Sequence, residues 1–172
     1  MKTGMFLAAA LAGVACVSGA AQADEIQRTA LTNATGVCNG SLPSYEGALR
    51  KRPTAIANEG TASAFVGCSM AGDESNGGHT MFLAYFVNRG AQTATINCTF
   101  VDGGAADFGI GSTDYHPQSV EVDAGQPSLM QWLPEDGEVY GPLSNLNCML
   151  PPGAEINILG YVYTEEVGVL EP

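Results

Sequence analysis

Cysteine has the widest chemical repertoire of the residues in this chain: its thiolate attacks electrophiles, binds metals and forms disulfides. Four of the five cysteines, Cys38, Cys68, Cys98 and Cys148, lie beyond the apolar N-terminal stretch. Their spacings of 30, 30 and 50 residues contain no C-x-x-C pair, the signature of a zinc site or a redox dithiol. In residues 93–101, Ala94, Ile96, Cys98 and Phe100 share one face of a period-two pattern, and Thr93, Thr95, Asn97 and Thr99 share the other. Cys68 falls with Val66 and Met70, and Cys148 between Leu146 and Leu150. A thiol on a buried apolar face is a poor nucleophile, because low dielectric disfavours the thiolate. The expected role is therefore a pair of disulfides. Of the three connectivities that four cysteines allow, Cys38–Cys68 with Cys98–Cys148 is preferred and the other two stay open.

Other groups offer less. Asp114 and His116 share one side of an extended segment with Ser119 nearby, so a Ser-His-Asp set can be drawn. Triad members usually come from distant segments, however, and a solvated loop histidine is the expectation for His116, as for His79. Gly67-Cys68-Ser69-Met70-Ala71 approximates a nucleophile elbow, which requires a strand-to-helix turn. No helical period follows, and Ser69 falls on the outward face of its strand. No dinucleotide fingerprint, P-loop or H-E-x-x-H is present, and no catalytic residue is assigned.

Asp102, Asp107 and Asp114 lie in one glycine-rich stretch, DGGAADFGIGSTD, and Glu135, Asp136 and Glu138 in another. Calcium takes carboxylate and carbonyl oxygens from such loops, so the first set is the candidate metal site, although its spacing is not that of an EF-hand. No other cofactor is implied. Trp132 shares a face with Met130, and Tyr161 and Tyr163 share one with Leu159. Sugar rings stack on exposed aromatic side chains, which makes Trp132, Tyr161 and Tyr163 the candidate ligand platform. Arg50-Lys51-Arg52 is the basic cluster of an acidic chain and, before Pro53, reads as an exposed loop.

These residues must be carried by strands. Alternation dominates from residue 64 onward, over 64–70, 80–87, 92–101, 118–123, 128–133, 146–150 and 154–164. TMFLAYFV (80–87) is apolar on both faces, as a strand covered on both sides would be. Asn88-Arg89-Gly90-Ala91 then reads as the turn of a β-hairpin. Residues 26–30 and 54–57 are weaker candidates for short edge strands, 39–47 reads as loop, and no internal repeat is recognised. The expected fold class is all-β: an antiparallel β-sandwich of seven or eight strands, immunoglobulin-like or jelly-roll, with the staples buried in its middle.

Residues 1–23 read as a secretory signal: Lys2, an apolar run over 5–17 too short to span a bilayer, and a small-x-small cut after Ala23. A lipoprotein signal through Cys16 is disfavoured by Gly13, where Leu is usual. Residues 24–172 then form one domain. With Lys2 removed, five basic residues face 18 acidic ones, a charge of −13. Such a field repels nucleic acid and anionic membrane surfaces. No other run is long enough for a transmembrane helix. The expected function is non-catalytic: an exported, secreted or periplasmic protein that binds a glycan or an envelope protein. The alternatives are a secreted hydrolase using loop carboxylates, or a structural subunit of an extracellular assembly.

Overall fold

The computed structural model describes residues 24–71, 78–103, 113–135, 138–141 and 143–167. The expected signal sequence, Asp107 and Asp136 lie outside them.

Eleven strands are present among the described residues. They are β1 (Asp24–Asn33), β2 (Cys38–Gly40), β3 (Leu49–Lys51), β4 (Ile56–Asn58), β5 (Ala64–Ala71), β6 (Met81–Asn88), β7 (Ala94–Gly103), β8 (Thr113–Val122), β9 (Pro127–Trp132), β10 (Leu143–Leu150) and β11 (Ala154–Val167). A single helical turn, α1 (Ala34–Val37), links β1 to β2. The strands form two antiparallel sheets. The first has the order β3-β4-β11-β6-β9, with β1 also paired to β11, and the second β2-β5-β10-β7-β8. This is the β-sandwich that the alternation predicts. Beyond the clearly periodic strands stand the three-residue β2 and β3, too short to show a period in sequence, and β1 and β4, which overlap the weaker candidates at 26–30 and 54–57. Arg50 and Lys51 belong to β3 rather than to a loop.

The core comes from one face of each sheet. Phe82, Phe86, Met130 and Trp132 from the first meet Ile96, Phe100, Leu146 and Leu150 from the second. Phe82 and Phe100 stack across the gap at 4.4 Å and 16°. TMFLAYFV is covered on one face only: Phe82, Ala84 and Phe86 are buried, whereas Leu83, Tyr85 and Val87 are half-exposed.

The expected hairpin between residues 80–87 and 92–101 does not form. β6 belongs to the first sheet and β7 to the second, so Asn88–Thr93 crosses between layers. Among consecutive strands only β3–β4 and β7–β8 are paired neighbours. A buried asparagine holds the crossing. Asn88 donates through Nδ2 to Gln92 O (2.7 Å) and Val122 O (2.8 Å), and accepts from Gly90 N at 2.8 Å. Asn58, at the end of β4, does the same before β5: to Ala62 O (2.9 Å), to Leu150 O (2.8 Å) and from Gly60 N (2.9 Å).

The sequences around the two asparagines correspond at four of eleven positions: Asn58/Asn88, Gly60/Gly90, Ala64/Ala94 and Cys68/Cys98. Asn58-Glu59-Gly60-Thr61-Ala62-Ser63-Ala64-Phe65-Val66-Gly67-Cys68 aligns with Asn88-Arg89-Gly90-Ala91-Gln92-Thr93-Ala94-Thr95-Ile96-Asn97-Cys98. The chain therefore contains an internal repeat, contrary to the sequence expectation. Each copy ends a first-sheet strand on Asn, crosses, and enters a second-sheet strand that carries a bonded cysteine. Gly153, at φ +81°, sits where the two loops meet: its N–H donates to Asn58 O and its carbonyl accepts from Arg89 N. A Cβ there would stand 2.8 Å from Gly90 N, so only glycine fits.

Both bridges lie within the second sheet. Cys38–Cys68 ties β2 to β5, and Cys98–Cys148 ties β7 to β10. The partners stand directly opposite in register, with Cα atoms 4.0 Å and 4.1 Å apart. All four sulfur-bearing side chains face the core. The staples thus rib one sheet from strand to strand and do not clamp one layer to the other.

Candidate functional site

Because residues 96, 98 and 100 of β7 point inward, 95, 97, 99 and 101 point out, and the register of the second sheet extends this alternation into transverse rows. One row runs Gly67, Asn147, Thr99, Pro117 across β5, β10, β7 and β8. The next runs Phe65, Met149, Asn97, Ser119, and a third Ser69, Asn145, Val101, Tyr115. None of these side chains carries a charge. In a chain with three acidic residues for every basic one, these rows form a neutral surface of amides and hydroxyls. Phe65 (44% exposed) and Tyr115 (68% exposed) stand at opposite edges of it.

A groove of about 350 Å³ crosses this face. Asn97, Asn147, Thr99, Gln118 and Ser119 supply its polar atoms, and Phe65, Pro117 and Met149 its apolar ones. Gly67 lets the Asn147 amide lie close over β5: a Cβ there would stand 3.3 Å from Asn147 Oδ1. Amides both donate and accept, so the floor can match a hydroxyl in either orientation. Ser69, on this face as its alternation requires, donates to Asn145 Oδ1 at 2.7 Å.

The aromatic platform expected from the sequence requires correction. Trp132 is 2% exposed, its ring set between Phe82 and Phe100 at 5.7 Å and 5.8 Å, and its Nε1–H donates to His116 O at 2.8 Å. Tyr161 is also buried and stacks on His79 at 4.0 Å, with the half-buried Tyr163 5.8 Å away. Period two correctly put Trp132 with Met130, but their shared face is the core. On the outer face of the second sheet the described aromatics are Phe65 and Tyr115, and the signal that finds them is the same alternation, read from Cys68 and His116 as inward residues.

Four acidic residues converge near the end of β7 and the start of β8. Asp102, Asp114, His116, Glu135, Glu138 and Tyr140 line a cleft of about 500 Å³. Asp102 and Asp114 face each other in register. Asp102 is already engaged: Oδ1 meets His116 Nε2 at 2.8 Å, and Oδ2 accepts from Gly141 N at 3.0 Å. Among the described residues no three His, Cys, Asp or Glu side chains converge as a metal would require. No triad assembles either, since His116 turns inward to Asp102 while Ser119 faces the groove on the other side of β8.

His79 is buried beside this cleft, not solvated as expected. Nδ1 meets Ser144 Oγ at 3.2 Å, and the backbone pairs with Tyr140 in both directions at 2.8 Å. Burial lowers its pKa below 6.5, with Asp102 opposing the shift. The unfolded chain therefore binds the proton more readily, and stability is lost as pH falls below 6.5 towards the folded value. One such group imposes a slope of at most about 1.4 kcal/mol per pH unit. Chemical denaturation at stepped pH should show His79→Gln with a flatter profile than wild type below 6.5. Parallel profiles would remove His79 as the source.

No protein-family model matches the chain, and no curated protein matches its sequence. Solved structures of similar shape include the CBM36-1 domain of a multidomain xylanase from the hindgut metagenome of Trinervitermes trinervoides. It is 11% identical with a TM-score of 0.43, over 83% of this chain and 100% of that one. The family 11 carbohydrate-binding module of Clostridium thermocellum, in complex with a mixed-linked tetrasaccharide, is 11% identical with a TM-score of 0.38, over 92% and 96%. The module TmCBM61, in complex with β-1,4-galactotriose, is 11% identical with a TM-score of 0.36, over 80% and 88%. At these values the assignment of a sandwich rests on the strand register of this chain, and its function on its own surface. No helix among the described residues is long and apolar enough to cross a membrane.

Proposed function

We propose that this protein is a non-catalytic glycan-binding module whose binding face is the outer surface of the second sheet. The observation that carries this reading is the uncharged groove between Phe65 and Pro117, floored by Asn97 and Asn147. A neutral sugar presents hydroxyls at its rim and C–H groups on its faces. Amides and hydroxyls answer the first, and Phe65, Met149 and Pro117 the second. An uncharged groove also spares a neutral ligand the desolvation of charged side chains. Export through residues 1–23 belongs to the same reading, since disulfides persist in oxidising compartments, where cell-surface and extracellular glycans are met.

Affinity electrophoresis and calorimetry against a panel of neutral and uronate-containing polysaccharides test it. A neutral polymer should bind saturably without turnover. Each lost side-chain hydrogen bond is worth about 0.5–1.5 kcal/mol, so Asn97→Ala with Asn147→Ala should weaken binding by about fivefold to a hundredfold. Both side chains lie on the surface, so thermal stability should stay near wild type. Binding that survives the double substitution would move the site elsewhere.

A further inference from the structure

We infer that a second pocket, at the opposite end of the sandwich from the acidic cleft, binds a small zwitterion of the α-amino acid class. The two copies of the repeated Asn-x-Gly crossing supply its walls. Glu59 and Arg89, which occupy the x position of each copy, line it together with Arg52, Gly153 and Glu155. Its volume is about 210 Å³.

The decisive atom is Glu155 Oε2. The Glu155 carboxylate is 1% exposed. Its Oε1 meets Arg89 Nη2 at 2.8 Å and accepts from Asn157 Nδ2 at 3.2 Å. Oε2 is buried and has no hydrogen-bond donor. The nearest cation on that side, Arg52 Nε, stands 4.0 Å away, beyond hydrogen-bond reach. A buried carboxylate oxygen left unmatched is a standing cost, which a donor in this position removes.

Arg52 can make room. Its side chain is 48% exposed and is held at 2.7 Å by Glu59, itself 45% exposed. An exposed ion pair of that kind is weak and screened by salt. The lining carries two cations, Arg52 and Arg89, and two anions, Glu59 and Glu155. A lone cation or a lone anion meets repulsion from one pair. A molecule with both charges, about one amino acid apart, meets none: its ammonium donates to Glu155 Oε2, and its carboxylate takes further guanidinium N–H groups of Arg52 and Arg89. The site is separate from the glycan face and stands or falls without it.

Calorimetry of residues 24–172 with glycine, acetate and methylamine tests the inference. Glycine should bind saturably in the millimolar range, with acetate and methylamine each weaker by about tenfold or more. Glu155→Gln should weaken glycine by at least about tenfold. Arg52 is itself half-exposed and stands beyond hydrogen-bond reach of the buried Glu155, so Arg52→Gln carries the test if the first variant fails to fold, and it too should weaken glycine. Three results overturn the inference: no glycine binding by the folded wild type, unchanged binding in Arg52→Gln, or acetate binding as tightly as glycine.

Discussion

Removing the Cys98–Cys148 bridge is expected to cost the fold about 4 kcal/mol, and removing Cys38–Cys68 slightly less. A cross-link restricts the unfolded chain in proportion to the logarithm of the loop it closes. Loops of 50 and 30 residues give about 4.1 and 3.6 kcal/mol at room temperature. The loops do not overlap, so the losses should add. Domains of this size are stable by about 5–15 kcal/mol, so a chain lacking both bridges should sit near its unfolding threshold. Urea denaturation of the paired alanine variants, Cys38→Ala/Cys68→Ala and Cys98→Ala/Cys148→Ala, measures each loss. A loss below about 1 kcal/mol for the longer loop would mean that the unfolded chain is already compact there.

Trp132→Ala should destabilise by about 3–5 kcal/mol, the range for deleting a large buried aromatic. The ring fills the space between Phe82 and Phe100, and its N–H satisfies the His116 carbonyl. Trp132→Phe separates the two contributions: it retains much of the packing and should cost about 1–3 kcal/mol for the carbonyl left unpaired. Thermal unfolding by circular dichroism reads both. The same residue bears on binding. A buried indole has no contact with the outer face, so it should show little direct quenching when a glycan binds there, whereas a tyrosine signal from Tyr115 should respond. Strong quenching of Trp132 by a saturating ligand, with Tyr115 silent, would count against the outer face of the second sheet as the binding surface.

Much of this architecture is written in local alternation. The inward face of β7 could be read from Ala94, Ile96, Cys98 and Phe100 alone, and with it the outward row that holds Asn97 and Thr99. What alternation cannot supply is partnership. Asn88-Arg89-Gly90 has the composition of a hairpin turn, yet the buried Asn88 amide reaches the carbonyl of Val122 in the other sheet and turns the chain across the core. Nothing within the loop encodes that distant acceptor. The repeat with Asn58 was hidden for a related reason: its identities are sparse, and their meaning appears only when both side chains make the same three contacts. Trp132 was misplaced because a period fixes which residues share a face, while the sheet's partner decides whether that face is wet. Glu155 gave no signal at all. It sits between the apolar Ala154 and Ile156 at the start of β11, and its charge is matched by arginines 66 and 103 positions away.

Placing both bridges in one layer divides the molecule into unequal halves. The second sheet is covalently ribbed across four of its five strands, while the first, among the described residues, has no covalent cross-link and is held by packing, hydrogen bonds and ion pairs such as Arg28–Glu165. The ribbed layer carries the amide groove. Asn97 and Asn147 each neighbour a bonded cysteine, Cys98 and Cys148, so the backbone positions that carry the two amides are held relative to each other by a covalent bond. On the proposed reading, a backbone held in this way has less conformational freedom to lose when a ligand settles on it.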